Sequence, residues 1–162
     1  HKLEYIEKTY GGKIQAVKST PEKIDEWVRK ADMLVGAVLV AGDRAPNVVT
    51  RKQVGSMENN SVIVDIAIDQ GGCIETSRPT THEEPTYIEE GVIHYCVTNM
   101  PALTPRTSTE ALTVATEPYL LKLAKEGVCS ALENDPHLAK GLQTKDGKVT
   151  LPVLQKLFPE LS

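Results

Sequence analysis

SVIVDIAIDQGGC, residues 61–73, runs an apolar stretch interrupted by Asp65 into a carboxylate, an amide and two glycines. Residues 61–68 are apolar on both faces, and strands of that kind belong in parallel sheets covered on each side by helices. MLVGAVLV, residues 33–40, has the same character and predicts a neighbouring strand. Between the two, PNVVTRKQVGSM (46–57) reads as a short helix with Val49, Gln53 and Met57 along one side. Upstream, Ile14 to Lys18 alternates as a short strand, and Ser19-Thr20-Pro21-Glu22 starts a helix that buries Ile24, Trp27, Val28 and Ala31. A last apolar strand, Val92 to Val97, follows a polar loop of over 20 residues. The predicted order of strand, helix, strand, helix, strand suits right-handed crossovers. The fold class is α/β: the second half of a doubly wound parallel sheet, followed by a helical segment.

That segment begins at Asn99-Met100-Pro101, beyond which no similar strand occurs. Thr107 and Glu110 have capping-box spacing and predict a helix to Gly127, kinked at Pro118, with Leu112, Ala115, Tyr119, Leu120 and Leu123 inside. Short helices follow at Cys129–Leu132 and Pro136–Leu142, then a turn at Gly147, an extended piece over Val149–Leu151 and a helix over 152–158. A domain boundary falls near residue 100, dividing 1–99 from 100–162. At the other end, Leu3, Ile6 and Tyr10 share one helix face that stops at Gly11-Gly12. No capping residue precedes that helix, so the chain reads as a piece of a longer protein.

Lys and Arg number 18 against 22 Asp and Glu, a net charge of −4, with no basic cluster. The electrostatic basis for nucleic-acid or membrane-surface binding is therefore missing. The longest apolar run, Met33 to Ala41, is too short for a membrane helix, which needs ~18 residues, and no signal pattern is present. A cytoplasmic protein is expected. The 3 cysteines, Cys73, Cys96 and Cys129, lack Cys-x-x-Cys spacing, so neither a disulfide framework nor a metal site is indicated. With aromatics at 4%, the core must be built from Val, Ile, Leu and Ala.

Ligands of open parallel sheets sit beyond the carboxyl ends of the strands. Three such ends are visible: VLVAGDRAP (38–46), AIDQGGC (67–73) and VTNMP (97–101). Asp69 is the sharpest candidate, a carboxylate at a strand end beside glycines that allow close approach of a flat ligand; a turn or capping role is the competing reading. Asp65 reads as a buried hydrogen-bonded structural group, and Gly36 as a site of close helix or ligand approach. Arg78 suits a phosphate or carboxylate, or is simply solvated or ion-paired. His82 reads as a surface residue and His94 as a satisfied core histidine. Asn99 can orient a ligand amide, and Met100 offers a soft apolar surface. No G-x-G-x-x-G or P-loop pattern occurs, so the pyrophosphate anchor of a dinucleotide site is absent from this sequence.

VIVDIAIDQGGCIETSRPTTHEEPTY (62–87), HYCVTNMPALTPRTSTEALTVATEPYLLKLA (94–124), DPHLAKGLQTKDGKVT (135–150) and GAVLVAGDRAP (36–46) closely resemble the carboxyl-terminal half of bacterial L-alanine dehydrogenases. The resemblance implies an enzyme that oxidises L-alanine to pyruvate and ammonia with NAD, usually as a homohexamer. It also implies a Rossmann domain, completed here by residues 1–99, inserted into a discontinuous substrate domain to which 100–162 return. By the match, Val38 and Leu39 lie on the adenosine side of NAD. Ile66, Ala67, Ile68 and Asp69 lie near the nicotinamide ribose. Arg78, Val97, Thr98, Asn99 and Met100 match further cofactor positions, and Asp69 matches the family's catalytic Asp. The glycine-rich loop, the substrate-binding Arg and Lys and the catalytic His of the family would lie upstream, so the chain alone is expected to be inactive. The alternative is a non-catalytic dinucleotide-binding module of the transhydrogenase alpha-subunit type.

Overall fold

A computed structural model describes residues 2–161, so the helix start expected at His1 lies outside the described residues. The chain divides into two compact units, residues 2–40 with 44–98 and residues 41–43 with 99–161. Among the described residues no helix is long and apolar enough to cross a membrane.

In the first unit, helix α1 (Lys2–Tyr10) stops where Gly11 and Gly12 take φ of +55° and +78°. The strand expected over Ile14–Lys18 does not form. Alternation yields a strand only where a neighbour completes the ladder, and Ile14 and Val17 remain 44% and 38% exposed. Helix α2 (Pro21–Lys30) starts at Thr20, whose hydroxyl accepts the Lys23 N–H at 3.3 Å, with Pro21 in the first turn. It buries Val28 but leaves Trp27 41% exposed beneath the Lys30 ammonium, against the expected inward placement.

Four strands form one sheet: β1 (Met33–Gly36), β2 (Val62–Asp65), β3 (Thr86–Glu89) and β4 (Val92–Tyr95), in the spatial order β1-β2-β4-β3. The first three in that order are parallel, and β3 pairs antiparallel with β4. Leu34, Ile63 and His94 stand side by side on one face. Val28 from α2, Val54 from α3 (Arg51–Val54), Met57, Ile74 and Val92 join Ile63 in the core. The other face is partly open, with Met33 60% and Val35 50% exposed, so β1 is not covered on both sides as its sequence suggests. In α3, Gln53 faces the Thr50 cap, where each side chain bonds the other's backbone N–H, and Val54 rather than Gln53 points to the core.

Both long apolar runs give shorter strands than expected. β2 ends at Asp65 because its fully buried carboxylate captures N–H groups ahead of it in the chain. Oδ1 accepts from Ala67 at 3.0 Å, while Oδ2 accepts from Cys73 at 2.9 Å and Ile74 at 3.3 Å. The backbone turns at once into a 3₁₀ helix, Ile66–Gln70. With β2 gone from the ladder, residues 37–40 have no strand partner among the described residues and β1 ends at Gly36. A Cβ on Gly36 would stand 2.5 Å from Cys73 Sγ, so the glycine serves the approach of this loop. The loop expected over 69–91 is largely organised: Ile74 bridges Val49, Thr80 bridges Val97, and β3 turns into β4 through Glu90 and Gly91, both at positive φ.

In the second unit, α4 (Pro105–Glu126) begins after Thr104, three residues before the capping box expected at Thr107, because Pro105 is already set for the first helical position. It runs unbroken through Pro118, and none of its residues is buried; Leu112 and Leu120 are 65% and 63% exposed. Helix α5 (Val128–Asn134) leads to Asp135, which caps α6 (Pro136–Ala139) by accepting from the His137 and Leu138 N–H groups. A short hairpin, β5 (Thr144–Lys145) with β6 (Lys148–Val149), precedes α7 (Pro152–Leu157). Residues 41–43 cluster here through Gly42, where a Cβ would lie 3.1 Å from Leu151 and Val153 carbons.

Asp65→Ala leaves three buried donors unpaired and is expected to lower stability by about 3 kcal/mol or more. Urea unfolding of the variant beside the parent measures this, and a loss below ~1 kcal/mol would mean that these bonds do not hold the loop.

Candidate functional site

The site is built where β1 and β2 diverge. Gly36 and Asp65 are the last paired residues. Beyond them the extended 37–40 segment and the 3₁₀ helix flank a cleft of about 250 Å³, lined by Ala37, Val38, Leu39, Ile66, Ala67, Asp69 and Gln70. Its wall is fixed from behind. Gly71 takes φ +95° to cap the 3₁₀ helix, Gly72 N–H reaches Ala67 O at 3.0 Å, and Ala45 N–H binds Gln70 O at 3.0 Å. Gly72 is also sterically required, since a Cβ there would meet Asp65 Oδ2 at 3.0 Å.

The cleft is mostly apolar, with Leu39 77% and Ile66 52% exposed. Asp69 is exposed at its edge. Gln70 Oε1 is buried without a hydrogen-bond partner among the described residues, an unused acceptor in the cleft wall. Such an atom costs free energy until a donor reaches it. Asp65 and Asp69, which strand alternation would place on one face, therefore differ completely: the first is consumed by backbone donors, the second faces solvent.

Five residues singled out from the sequence, Val38, Leu39, Ile66, Ala67 and Asp69, share this cleft. Ile68 and Val97 are 3% and 1% exposed, so their side chains pack in the interior. Thr98 is exposed after β4. Asn99 and Met100 belong to the second unit, where Asn99 at φ +53° precedes a 3₁₀ helix, Met100–Leu103, and borders a separate cavity of about 690 Å³ with Pro101, Pro105 and Leu112. Arg78 is not part of the cleft lining; its guanidinium carbon lies 3.9 Å from the centre of the Tyr87 ring. Gln70 and Ala37 complete the cleft without having been singled out; Gln70 carried a signal only as the polar neighbour of Asp69.

Two buried titratable groups, His94 and Cys73, lie in the same unit outside the cleft lining. His94 lies opposite Tyr87 in the sheet, with Nδ1 2.9 Å from Val92 O and Nε2 2.7 Å from Thr76 Oγ1. A carbonyl can only accept, so Nδ1 carries the proton and Nε2 accepts the Thr76 hydroxyl. Burial pushes the His94 pKa below its usual value, keeping it neutral. His94 is thus a satisfied core residue. Burial, reinforced by the charge of Asp65, pushes the Cys73 thiol up to about 11, which leaves it an unreactive packing group.

Residues 1–152 match the family described as alanine dehydrogenase/PNT, C-terminal domain. Among curated proteins, the chain is 50% identical over 157 residues to alanine dehydrogenase of Halomonas elongata, covering 97% of this chain and 42% of that protein. It is 51% identical over 154 residues to the alanine dehydrogenase of Mycolicibacterium smegmatis, covering 95% and 42%. Among solved structures, an L-alanine dehydrogenase superposes with a TM-score of 0.83 at 46% identity, over 99% of this chain and 44% of the other. The transhydrogenase from Sinorhizobium meliloti matches with a TM-score of 0.50 at 26% identity, over 59% of this chain and 27% of that one. The chain thus spans about two fifths of the length of the curated relatives it matches. By sequence and by fold alike, it belongs to the alanine dehydrogenase/PNT C-terminal domain family.

Proposed function

We propose that this chain is the carboxyl-terminal part of an NAD-dependent L-alanine dehydrogenase, which oxidises L-alanine to pyruvate and ammonia and runs in reverse as a reductive amination. The observation that carries this reading is a cleft at the carboxyl ends of two parallel strands, edged by Asp69, in a chain about half identical to alanine dehydrogenases over nearly its whole length.

The residues present fit a nicotinamide dinucleotide. Apolar walls suit a flat ring and sugar carbons, an exposed carboxylate suits sugar hydroxyls, and the unpartnered Gln70 Oε1 offers an acceptor. A cleft near 250 Å³ is smaller than whole-ligand pockets, which run to roughly 300–1,000 Å³, so it takes one portion of the dinucleotide. By the resemblance, Val38 and Leu39 would flank the adenosine side of NAD, and Ile66, Ala67, the Ile68 backbone and Asp69 its nicotinamide ribose. By the same resemblance, Arg78, the Val97 backbone, Thr98, Asn99 and Met100 would supply further contacts. NAD supplies the hydride acceptor when bound. Asp69 would supply the carboxylate that holds a ribose hydroxyl or stabilises positive charge as the amine carbon becomes electron-poor. The pyrophosphate anchor and the general acid/base come from the remainder of the longer protein, which we place in the cytoplasm as a homo-oligomer, a hexamer by resemblance. Within it, residues 1–99 complete the NAD domain and 100–162 return to the substrate domain.

In the longer protein, Asp69→Asn is expected to lower kcat by roughly a hundred-fold while changing NAD affinity by less than about three-fold. Steady-state alanine oxidation with a parallel NAD titration tests this, and unchanged turnover would remove Asp69 from the chemistry. Arg78→Ala should do the reverse, raising the apparent NAD constant about ten-fold with kcat nearly constant. An unaltered NAD titration would return Arg78 to the role of a solvated loop residue.

A further inference from the structure

The cleft chemistry does not use Tyr87, yet this half-buried residue is held by a stacked ring, two hydrogen bonds and a guanidinium. It stands on edge strand β3 opposite His94, and the two rings stack with centroids 4.9 Å apart and planes inclined by 19°. His94 is itself locked by Val92 O and Thr76 Oγ1, so the Tyr87 ring rests on a fixed base. The phenol oxygen accepts the Arg78 backbone N–H at 2.9 Å and donates to Thr76 O at 2.8 Å. The ring also carries the Arg78 guanidinium, at 3.9 Å from its centre. One side chain therefore holds both the backbone and the charged end of Arg78.

The geometry has a chemical consequence. An exposed arginine samples many rotamers, and ordering it at the moment of binding weakens the contact it makes. A guanidinium lying over a ring uses its π face there, while its N–H donors lie in its own plane and stay available to a phosphate or carboxylate. No carboxylate among the described residues lies within ion-pair distance of Arg78 to compete for those donors. Burial pushes the Tyr87 phenol well above its usual pKa, so its hydroxyl remains a donor throughout the working range.

We propose that Tyr87 is the positioning residue for Arg78, presenting its guanidinium, already oriented, to an anionic group of the dinucleotide. This rests on the reading of Arg78 as a cofactor contact given above. Edge strand β3 then has a function beyond closing the sheet: it brings the platform under the arginine.

A double-mutant cycle in the longer protein tests the proposal, with NAD affinity read by calorimetry and kcat and KM read separately. Tyr87→Leu is expected to weaken NAD roughly three- to ten-fold, to raise KM for NAD with little change in kcat, and to have no further effect once Arg78 is Ala. Tyr87→Phe keeps the ring and should stay within about two-fold of the parent. A Tyr87→Leu loss of equal factor in the presence and absence of the Arg78 side chain would overturn the proposal. If Tyr87→Leu does not fold, Tyr87→Phe still decides: Arg78→Ala must cost as much in that background as in the parent, and a vanished cost would place the hold in the hydroxyl instead of the ring. An Arg78→Ala variant with unchanged NAD affinity would overturn the cofactor reading of Arg78 and this inference with it, whereas a normal Arg78→Ala loss combined with additivity would overturn the inference alone.

Discussion

The buried carboxylate of Asp65 is the constraint from which the rest of the first unit follows. A fully desolvated aspartate is tolerable only when its oxygens are hydrogen-bonded, and here the backbone of Ala67, Cys73 and Ile74 does so. Satisfying that one group ends β2, starts the 3₁₀ helix and pulls the Gly71-Gly72-Cys73 segment against Gly36 on the neighbouring strand. The cleft is what remains in front of this knot. Its shape is set by one aspartate, and a different one, Asp69, stands at its edge.

Asp65 and Asp69 illustrate how position rather than residue type decides function. Strand alternation would place both on one face, but the turn that Asp65 itself nucleates carries Asp69 into the solvent at the lip of an apolar recess. A carboxylate held there on a short rigid helix, backed by a capped glycine and a backbone bond from Ala45, is aimed with little freedom. Arg78 is held by a separate device, the ring of Tyr87. The two side chains proposed to meet the cofactor are thus steadied by two separate assemblies within the same unit.

Much of this was legible in the sequence. The apolar character of residues 33–40 and, but for Asp65, of 62–68 announces parallel strands, and the polar residues just after them mark the cleft, because both signals are local. Where strands end was not legible, since β1 stops only because β2 has left the ladder, a non-local event. Strand β3 was hidden in the acidic stretch HEEPTYIEEG, although Glu90-Gly91 before an apolar run is a hairpin signal. The Arg78–Tyr87–His94 stack joins residues 9 and 7 positions apart across a turn and a register, which no spacing rule reveals. Trp27 and the apolar residues of α4 were expected inside and lie exposed, because periodicity identifies a face without naming what covers it.

The central claim is that the recess between residues 37–40 and 66–70 is a cofactor surface. Hydrogen–deuterium exchange of the longer protein, read by mass spectrometry with and without saturating NAD, tests it most directly. The account predicts slowed exchange over both segments on NAD binding, since the ligand would cover the 37–40 backbone beyond the end of the ladder and steady the 3₁₀ helix. NAD binding accompanied by protection elsewhere and none in these two segments would contradict it.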